Sequence, residues 1–204
     1  MIKLKINHSK QKVINAASLL FFQKGFHGTS VRDIAEEASV NVSLISYYFK
    51  SKQGLLEYAI TQYYETYLEG LEKVIQQTAS LSSLEKLKKM IFYIIQYKQD
   101  NLQLTCTIHR ELSLDSVFVR EMTVTYLAKE NHFLGTPFYN ILRKDVTDKE
   151  FLFMQLKGML ITPYLLHNEW KYQVIGNHSH QIFVEKYSRK INSWLKFVKD
   201  SYKN

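Results

Sequence analysis

Thr29 to Phe49 reads TSVRDIAEEASVNVSLISYYF, in which two short helical patterns are separated by a four-residue break. The first pattern places four apolar residues on one face at helical spacing: Val31, Ile34, Ala35 and Ala38. Thr29 or Ser30 is a candidate cap, because a hydroxyl at that position accepts a hydrogen bond from a free backbone N–H. The first half of the stretch therefore predicts a short supporting helix.

The second half predicts a helix from Val42 to Phe49, capped by the side-chain oxygen of Asn41. Helical spacing directs Ile45 and Phe49 inward, and the outward face carries short polar and aromatic side chains. No Asp or Glu lies between Glu37 and Glu57, so no carboxylate would repel a phosphate there. A helix of this kind fits the major groove of DNA, and the two helices together have the pattern of a helix-turn-helix.

Residues of this stretch and of the segment that follows are candidates for contact with DNA. They are Thr29, Ser30, Asn41, Ser43, Leu44, Ser46, Tyr47, Tyr48, Lys50 and Lys52. The two lysines flank Ser51, a candidate cap of the next helix, so positive side chains and a helix N-terminus are offered to a phosphate together. The alternative is that the YYF run only fills a core and the lysines form a solvated surface.

Residues 25–56, GFHGTSVRDIAEEASVNVSLISYYFKSKQGLL, resemble the N-terminal signature of TetR-type regulators. The matching residues are Gly25, Phe26, Thr29, Val31, Ile34, Ala35, Ala38, Val40, Tyr48, Phe49, Lys52, Leu55 and Leu56. An ordered match of this length is specific, unlike a short motif. Two positions depart from the signature, because Ser39 replaces a turn glycine and Ser46 replaces the first tyrosine of a pair. Ser39 is expected to be strained if the turn requires a positive φ.

This resemblance and the helical patterns predict an all-α protein of about nine helices. Residues 1–52 are expected to form a three-helix helix-turn-helix domain, and residues 53–204 a larger helical domain for dimerisation and effector binding. The resemblance implies a transcriptional regulator, of repressor type, that binds an inverted-repeat operator as a homodimer. No motif indicates an enzyme.

Composition and charge agree with a helical DNA-binding protein. The chain of 204 residues has only 2 prolines and 7 glycines, which favours long helices. Residues 1–52 hold eight Lys and Arg against three Asp and Glu, whereas residues 53–204 hold nineteen against sixteen. A basic first domain fits a polyanionic partner. The absence of an 18-residue apolar run and of a signal peptide predicts a cytoplasmic, nucleoid-associated protein.

The rest of the chain divides into helices at its turn signals. Residues 1–11 are expected to form a loose basic arm with nonspecific phosphate contacts, the alternative being an arm that reaches an adjacent minor groove. A first helix then runs from Ser9 or Lys10 to Gly25. A long helix from Ser51 joins the reading domain to the body, and a turn is expected at Asp100-Asn101. Interruptions of the helical pattern are also expected. They are a cap at Asp115, a break or kink at Gly135-Thr136-Pro137, a capping box at Thr147 to Glu150, a kink at Pro163 and a turn at Gly176-Asn177.

Aromatic and other side chains of the body are candidates to line an effector pocket of the kind that TetR-type regulators carry. They are Tyr63, Tyr67, Phe92, Tyr93, Tyr97, Cys106, His109, Phe118, Met122 and Tyr126. The alternative is that these side chains fill a core, as aromatic residues at helical spacing usually do.

The last two helices carry a surplus of apolar residues, which predicts a two-fold contact between protomers. The candidate interface residues are Leu156, Leu160, Phe183, Tyr187, Trp194 and Leu195. Cys106 is the only cysteine, so no intramolecular disulfide forms. His167, His178 and His180 lack the acid or cysteine spacing of a metal site, and no cofactor is expected.

Two segments, residues 41–49 (NVSLISYYF) and 104–130 (LTCTIHRELSLDSVFVREMTVTYLAKE), resemble the RefZ branch of that family, which serves forespore chromosome capture. This resemblance implies an alternative function, in which a chromosome-bound protein acts by contacting a cell-division protein and needs no small-molecule effector. A genome-wide map of bound sites separates the alternatives, because sites away from promoters favour the chromosomal role.

Overall fold

The computed structural model describes residues 2–111, 117–166 and 179–202, and every regular element in those ranges is helical. The helices are α1 (Ile2–Lys24), α2 (Val31–Glu37), α3 (Val42–Phe49), α4 (Lys52–Gln77), α5 (Ser83–Asp100), α6 (Leu102–Glu111), α7 (Val117–Met122), α8 (Ala128–Tyr139), α9 (Lys149–Leu165) and α10 (His180–Ser201). A π-helical turn, Thr123–Leu127, joins α7 to α8 without interruption. The all-α prediction is confirmed.

The first three helices and the start of α4 form a small domain, called the head below. α1 packs against α2 and α4, and α3 packs against the same two helices. Val13, Ile34 and Ile45 come from three different helices and are completely buried. These contacts give α2 and α3 the common apolar core that neither short helix could form alone.

The structure corrects the prediction for the beginning of the chain. α1 starts at Ile2 rather than at Ser9 or Lys10, so residues 2–8 form part of a helix and not a loose arm. Nothing in that segment stops a helix, because it contains neither Gly nor Pro. The other end is as predicted: Gly25 has φ 75°, and its N–H donates to the Phe21 carbonyl over 3.0 Å.

Helix α5 is the centre of the body. It contacts α4, α6, α8, α9 and α10. Its buried apolar residues recur at helical spacing: Leu87, Met90, Ile91, Ile94 and Ile95. The expected boundary between residues 52 and 53 falls at the start of α4, so one continuous helix of 26 residues leads from the head into the body.

Two predictions for the helices of the body are wrong, a break inside α8 and a capping box at the start of α9. α8 continues through Gly135-Thr136-Pro137 to Tyr139, and burial of Leu134, Pro137 and Phe138 offsets the one hydrogen bond that proline cannot donate. The capping box at Thr147 is also wrong, because α9 has Asp148 as its N-cap and no side-chain cap bond. Asp115 and the Gly176-Asn177 turn lie outside the described residues.

Candidate nucleic-acid interface

The start of α2 is held by a reciprocal pair of hydrogen bonds. The Asp33 backbone N–H donates to the Ser30 Oγ over 3.1 Å, and the Ser30 N–H donates to the Asp33 carboxylate over 2.9 Å. This backbone hydrogen bond lowers the pKa of Asp33, so the carboxylate stays ionised. The ionised Asp33 carboxylate thus occupies the start of α2, and the Ser30 side chain is exposed beside it.

The turn between α2 and α3 is a Schellman motif centred on Ser39. Ser39 has φ 54°, its N–H donates to Glu36 O, and the Val40 N–H donates to Ala35 O over 2.9 Å. A side chain in this left-handed region is strained, which confirms the consequence expected from the replaced glycine. The turn nevertheless sets the direction of α3 relative to α2.

Helix α3 presents its polar face to solvent. Asn41 Oδ1 accepts hydrogen bonds from the Ser43 backbone N–H at 2.9 Å and from the Ser43 hydroxyl at 2.8 Å. Ile45 and Phe49 are buried, which fixes the rotation of the helix. Ser43 and Ser46 are exposed on the opposite side, and Leu44 is half-buried. This face therefore offers small hydrogen-bonding groups suited to base edges.

Tyr47 is the most prominent side chain of α3. Its side chain is 80% exposed, and its ring lies edge-on to that of Tyr48 at 5.2 Å. Tyr48 is half-buried and contacts Phe49, so the pair is supported from the core side. A rigid aromatic carrying a hydroxyl can contact a base edge or a phosphate with little loss of side-chain entropy.

Lys50 lies in a strained γ-turn. It has φ 65°, and the Ser51 N–H donates to Phe49 O over 2.7 Å. Its side chain is exposed. Ser51 then caps α4 by accepting a hydrogen bond from Gly54 N at 3.0 Å. The strained turn places a lysine beside a helix N-terminus, as an anion site requires.

Two candidates for DNA contact have internal partners instead. The Thr29 hydroxyl is buried and lies 2.8 Å from Gly25 O and 3.2 Å from Leu20 O. The Lys52 ammonium donates to Phe26 O and Thr29 O, each at 2.7 Å. Both groups brace the turn between α1 and α2, so we leave their side chains out of the proposed interface.

Arg32 is an additional candidate that the sequence-based set omits. It is exposed in the first turn of α2, two residues after the cap Ser30. The sequence indicates Arg32 because it is a basic residue two positions after the predicted cap Ser30. Lys10, in contrast, is directed inward: its ammonium lies 3.8 Å from the ring centroid of Tyr58 and ties α1 to α4.

The candidate effector residues are only partly brought together. Tyr63, Tyr67, Tyr93 and Tyr97 form one cluster in which the Tyr67 and Tyr97 rings lie 5.3 Å apart. The Tyr93 and Tyr97 hydroxyls donate to carbonyls of α4. A side chain at Gly70 would overlap the Tyr93 hydroxyl, which shows how closely α5 approaches α4. The cluster favours the filled-core alternative at this seam.

The remaining effector candidates are spread around that cluster. Phe92 is exposed on α5, Cys106 is half-buried, and Met122 is buried. Tyr126, in the π-helical turn, stacks on Tyr64 at 5.4 Å, and His109 stacks on Tyr164. The side chain of Phe118 lies outside the described set. No cluster of three metal-binding side chains occurs among the residues that the structure describes.

A helix-turn-helix head with an acid-free, exposed reading helix defines a DNA-binding regulator. Residues 13–59 match the family described as “Bacterial regulatory proteins, tetR family”. The chain is 37% identical over 198 residues, 93% of each protein, to “Probable HTH-type transcriptional regulator YttP” of Bacillus subtilis (strain 168). The chain therefore belongs to the tetR family.

Two further similarities extend this assignment. The “Biofilm operon icaADBC HTH-type negative transcriptional regulator IcaR” of Staphylococcus aureus (strain Newman) is 30% identical over 86 residues, 42% of this chain and 45% of that protein. A TetR-like transcriptional regulator from Rhodococcus sp. RHA1 has the same fold, with a TM-score of 0.69 at 17% identity, covering 93% of this chain and 95% of that chain. None of these comparisons tests the RefZ resemblance, which stays a prediction. Within the described ranges, no helix is long and apolar enough to cross a membrane.

Proposed function

We propose that this protein is a homodimeric transcriptional repressor that reads an inverted-repeat operator through α3 and responds to an effector in its body. The observation that carries the proposal is the exposed, acid-free face of α3, with Tyr47 at its centre. Asn41, Ser43, Ser46 and Tyr47 are the proposed base-reading residues. Phosphates would be held by Lys50 and Arg32.

The dimer is supported by apolar side chains that one protomer leaves exposed on its last two helices. They are Phe151, Met154 and Leu165 on α9, and Ile182 and Phe197 on α10. An exposed apolar surface of this kind is typical of a contact with a second chain. Two protomers joined there would present their heads to the same side of a DNA duplex.

The predicted dimer residues divide into two groups. Leu156, Leu160 and Leu195 have no exposed surface in a single protomer and fill its own core, so we leave them out of the proposed contact. Phe183 is likewise buried, and its ring stacks on that of Tyr187 at 5.3 Å. Tyr187 and Trp194 are only half-buried in one protomer, so part of each side chain is left for the proposed contact.

Helix α4 gives the proposed route from effector to DNA. Its 26 residues span about 39 Å, and its first turn is anchored to the head through Lys52. A displacement of its body half therefore rotates the attached head. Repression follows where the operator overlaps a promoter, a role also suggested by the name of IcaR.

Selection of binding sites from a random duplex pool tests the proposal. The wild type should enrich inverted repeats, and Tyr47→Ala should enrich sites with an altered or relaxed preference at specific positions. Tyr202→Ala is a matched control, because it removes another exposed tyrosine at the far end of α10. Unchanged preference in Tyr47→Ala, or enrichment of direct repeats, argues against the proposal.

A further inference from the structure

Three charged side chains from three helices meet in the body, two of them buried and the third, Lys157, partly exposed. Lys98 of α5 and Glu130 of α8 are each 3% exposed, and Lys157 of α9 extends to the same region. The Lys157 ammonium lies 2.7 Å from Glu130 Oε1. The Lys98 ammonium donates to the Leu160 carbonyl over 3.2 Å and interacts electrostatically with both other charges.

This buried group has an excess of positive charge. Burial lowers the pKa of Lys98 to about 8, so at neutral pH its amine is still mostly protonated. Burial also lowers the pKa of the neighbouring His109 to about 3, so that imidazole is neutral. The attraction of Lys157 and Lys98 keeps the pKa of Glu130 low, against the effect of burial. Two cations therefore face a single carboxylate.

An uncompensated charge in a protein interior is unfavourable, and it is normally balanced by a counter-charge and by hydrogen bonds. The ammonium of Lys98 carries three donors, of which the described residues engage one through Leu160 O. A second group points to a missing acceptor: the Tyr67 hydroxyl of α4 is buried and has no hydrogen-bond partner among the described residues. Burial and then the charge of Glu130 raise the pKa of Tyr67, so its hydroxyl lies within electrostatic range of Glu130.

The surroundings are apolar and aromatic. Tyr67 belongs to the tyrosine cluster between α4 and α5, and Tyr164 lies against both Lys98 and His109. Glu130 lies three residues after Leu127, the last residue of the π-helical turn. Such turns inside α-helices are frequent at functional sites, because they change which side chains face inward.

We propose that the body binds a small amphiphilic anion, a carboxylate on an apolar tail, which accepts hydrogen bonds from Lys98 and Tyr67 and supplies the missing negative charge. This inference deepens the regulator proposed above and rests on it for the link to DNA. A cationic ligand would add to the excess charge, and a neutral one would leave it uncompensated. Because the seam between α4 and α5 is filled, the tail would have to part the rings of Tyr67 and Tyr97, and this would displace the body half of α4.

Decanoate, decan-1-ol and decylammonium are suitable probes, because they share a tail and differ in charge. Each is added to the full-length protein below its micelle concentration, and binding is followed by calorimetry and by the shift in Tm. Decanoate should bind and raise Tm, whereas the alcohol and the ammonium should have little effect. Lys98→Met should weaken decanoate binding about 10- to 100-fold, the range expected for losing a charged hydrogen bond.

Lys129→Met is the matched control, since Lys129 is the neighbour of Glu130 on α8 but is exposed and pairs with Glu72 at 2.6 Å. This variant should bind decanoate like the wild type. Glu130→Gln provides a second test, because it leaves two cations without a carboxylate. The Tm of this variant should be lower than that of the wild type, and decanoate should raise it by more degrees than it raises the Tm of the wild type.

Equal binding of decanoate and decanol, equal loss in Lys98→Met and Lys129→Met, or no binding of any probe would each overturn the inference. The affinity of the same protein preparations for a selected operator is measured in the absence of any probe. Operator binding together with absent decanoate binding would leave the DNA-binding function standing and refute only the ligand class. Loss of operator binding in the wild type would instead refute the function proposed above.

Discussion

The Nζ atom of Lys52 lies 2.7 Å from the carbonyl oxygen of Thr29, which ties the first turn of α4 to the start of α2. The same ammonium donates to Phe26 O and lies over the Phe26 ring at 4.4 Å. This lysine therefore acts as a brace inside the head. A buried or half-buried charge with two carbonyl acceptors contributes more than a surface charge does.

Lys52→Met should accordingly lower the free energy of unfolding by about 2 kcal/mol, because two carbonyl groups lose a charged donor. Urea unfolding measures the change. Lys50→Met serves as the control, since it removes an exposed lysine two residues away and should change stability by less than about 0.5 kcal/mol. Similar stability of the two variants would contradict the bracing role.

Replacing either residue with positive φ by glycine should stabilise the head. Ser39 has φ 54° and Lys50 has φ 65°, so Ser39→Gly and Lys50→Gly should each raise the free energy of unfolding by roughly 1 kcal/mol. Their effects on DNA should differ. Ser39→Gly leaves the charge of the head unchanged. Lys50→Gly removes one positive charge, so it should weaken binding to all duplexes and reduce the slope of log affinity against log salt concentration by about one unit. A destabilised Ser39→Gly protein would show that the side chain makes a compensating contact.

Charges introduced on the exposed apolar side chains of the last two helices should dissociate the dimer. Met154→Glu and Phe197→Glu place a carboxylate on side chains that are 62% and 67% exposed in one protomer, so the fold itself should tolerate them. Sedimentation should show a monomer, and operator affinity should fall by about 4 kcal/mol or more, to the nonspecific level. Tyr202→Glu is the control and should remain dimeric. Dimeric Met154→Glu and Phe197→Glu proteins would place the contact elsewhere.

The spacing of operator half-sites should be tightly constrained. A two-fold dimer presents its two α3 helices with half-site centres about 34 to 36 Å apart, or a small extension of that, on one face of DNA. Inserting about five base pairs rotates one half-site by half a turn, and inserting about ten stretches the separation. Both insertions should abolish specific binding in a fluorescence anisotropy titration. Tolerance of either insertion would mean that the heads are joined flexibly.

Stability should rise with pH above 8 because of Lys98. Its pKa is about 8 in the folded protein and near 10.5 in the unfolded chain, so between these values the unfolded state holds one more proton. The free energy of unfolding should therefore increase by up to about 1.4 kcal/mol per pH unit between pH 8 and 10. Above pH 10 the buried tyrosines act in the opposite direction, because burial raises the pKa of Tyr63 and Tyr67.

Urea unfolding at pH 7, 8, 9 and 10 measures this slope, and Lys98→Met is the comparison. The variant has no proton to exchange at that position, so its stability should rise less steeply than that of the wild type. Parallel pH profiles for the two proteins would show that the Lys98 amine keeps an ordinary pKa in the folded state.

The caps and buried faces of α2 and α3 and the end of α1 could be predicted from the sequence because their determinants are local. The caps Ser30 and Asn41 act on N–H groups two or three residues away, and Gly25 ends α1 through a bond to Phe21. Helical spacing then assigned Ile45 and Phe49 to the buried face of α3. Local hydrogen bonds and periodicity are written in consecutive residues, so no knowledge of distant contacts was needed.

Only the tertiary structure decided which surfaces of the body face each other. The sequence placed Leu156, Leu160 and Leu195 in the dimer interface, whereas they fill the core of one protomer. A helix in a dimer has two apolar contacts, one within its protomer and one with its partner, and periodicity does not tell them apart. Likewise, Lys52 finds its acceptors 23 and 26 residues away, and Lys98, Glu130 and Lys157 come from three helices. Which charges share a buried volume depends on how helices cross, and that is set by the packing of the whole chain rather than by any one segment.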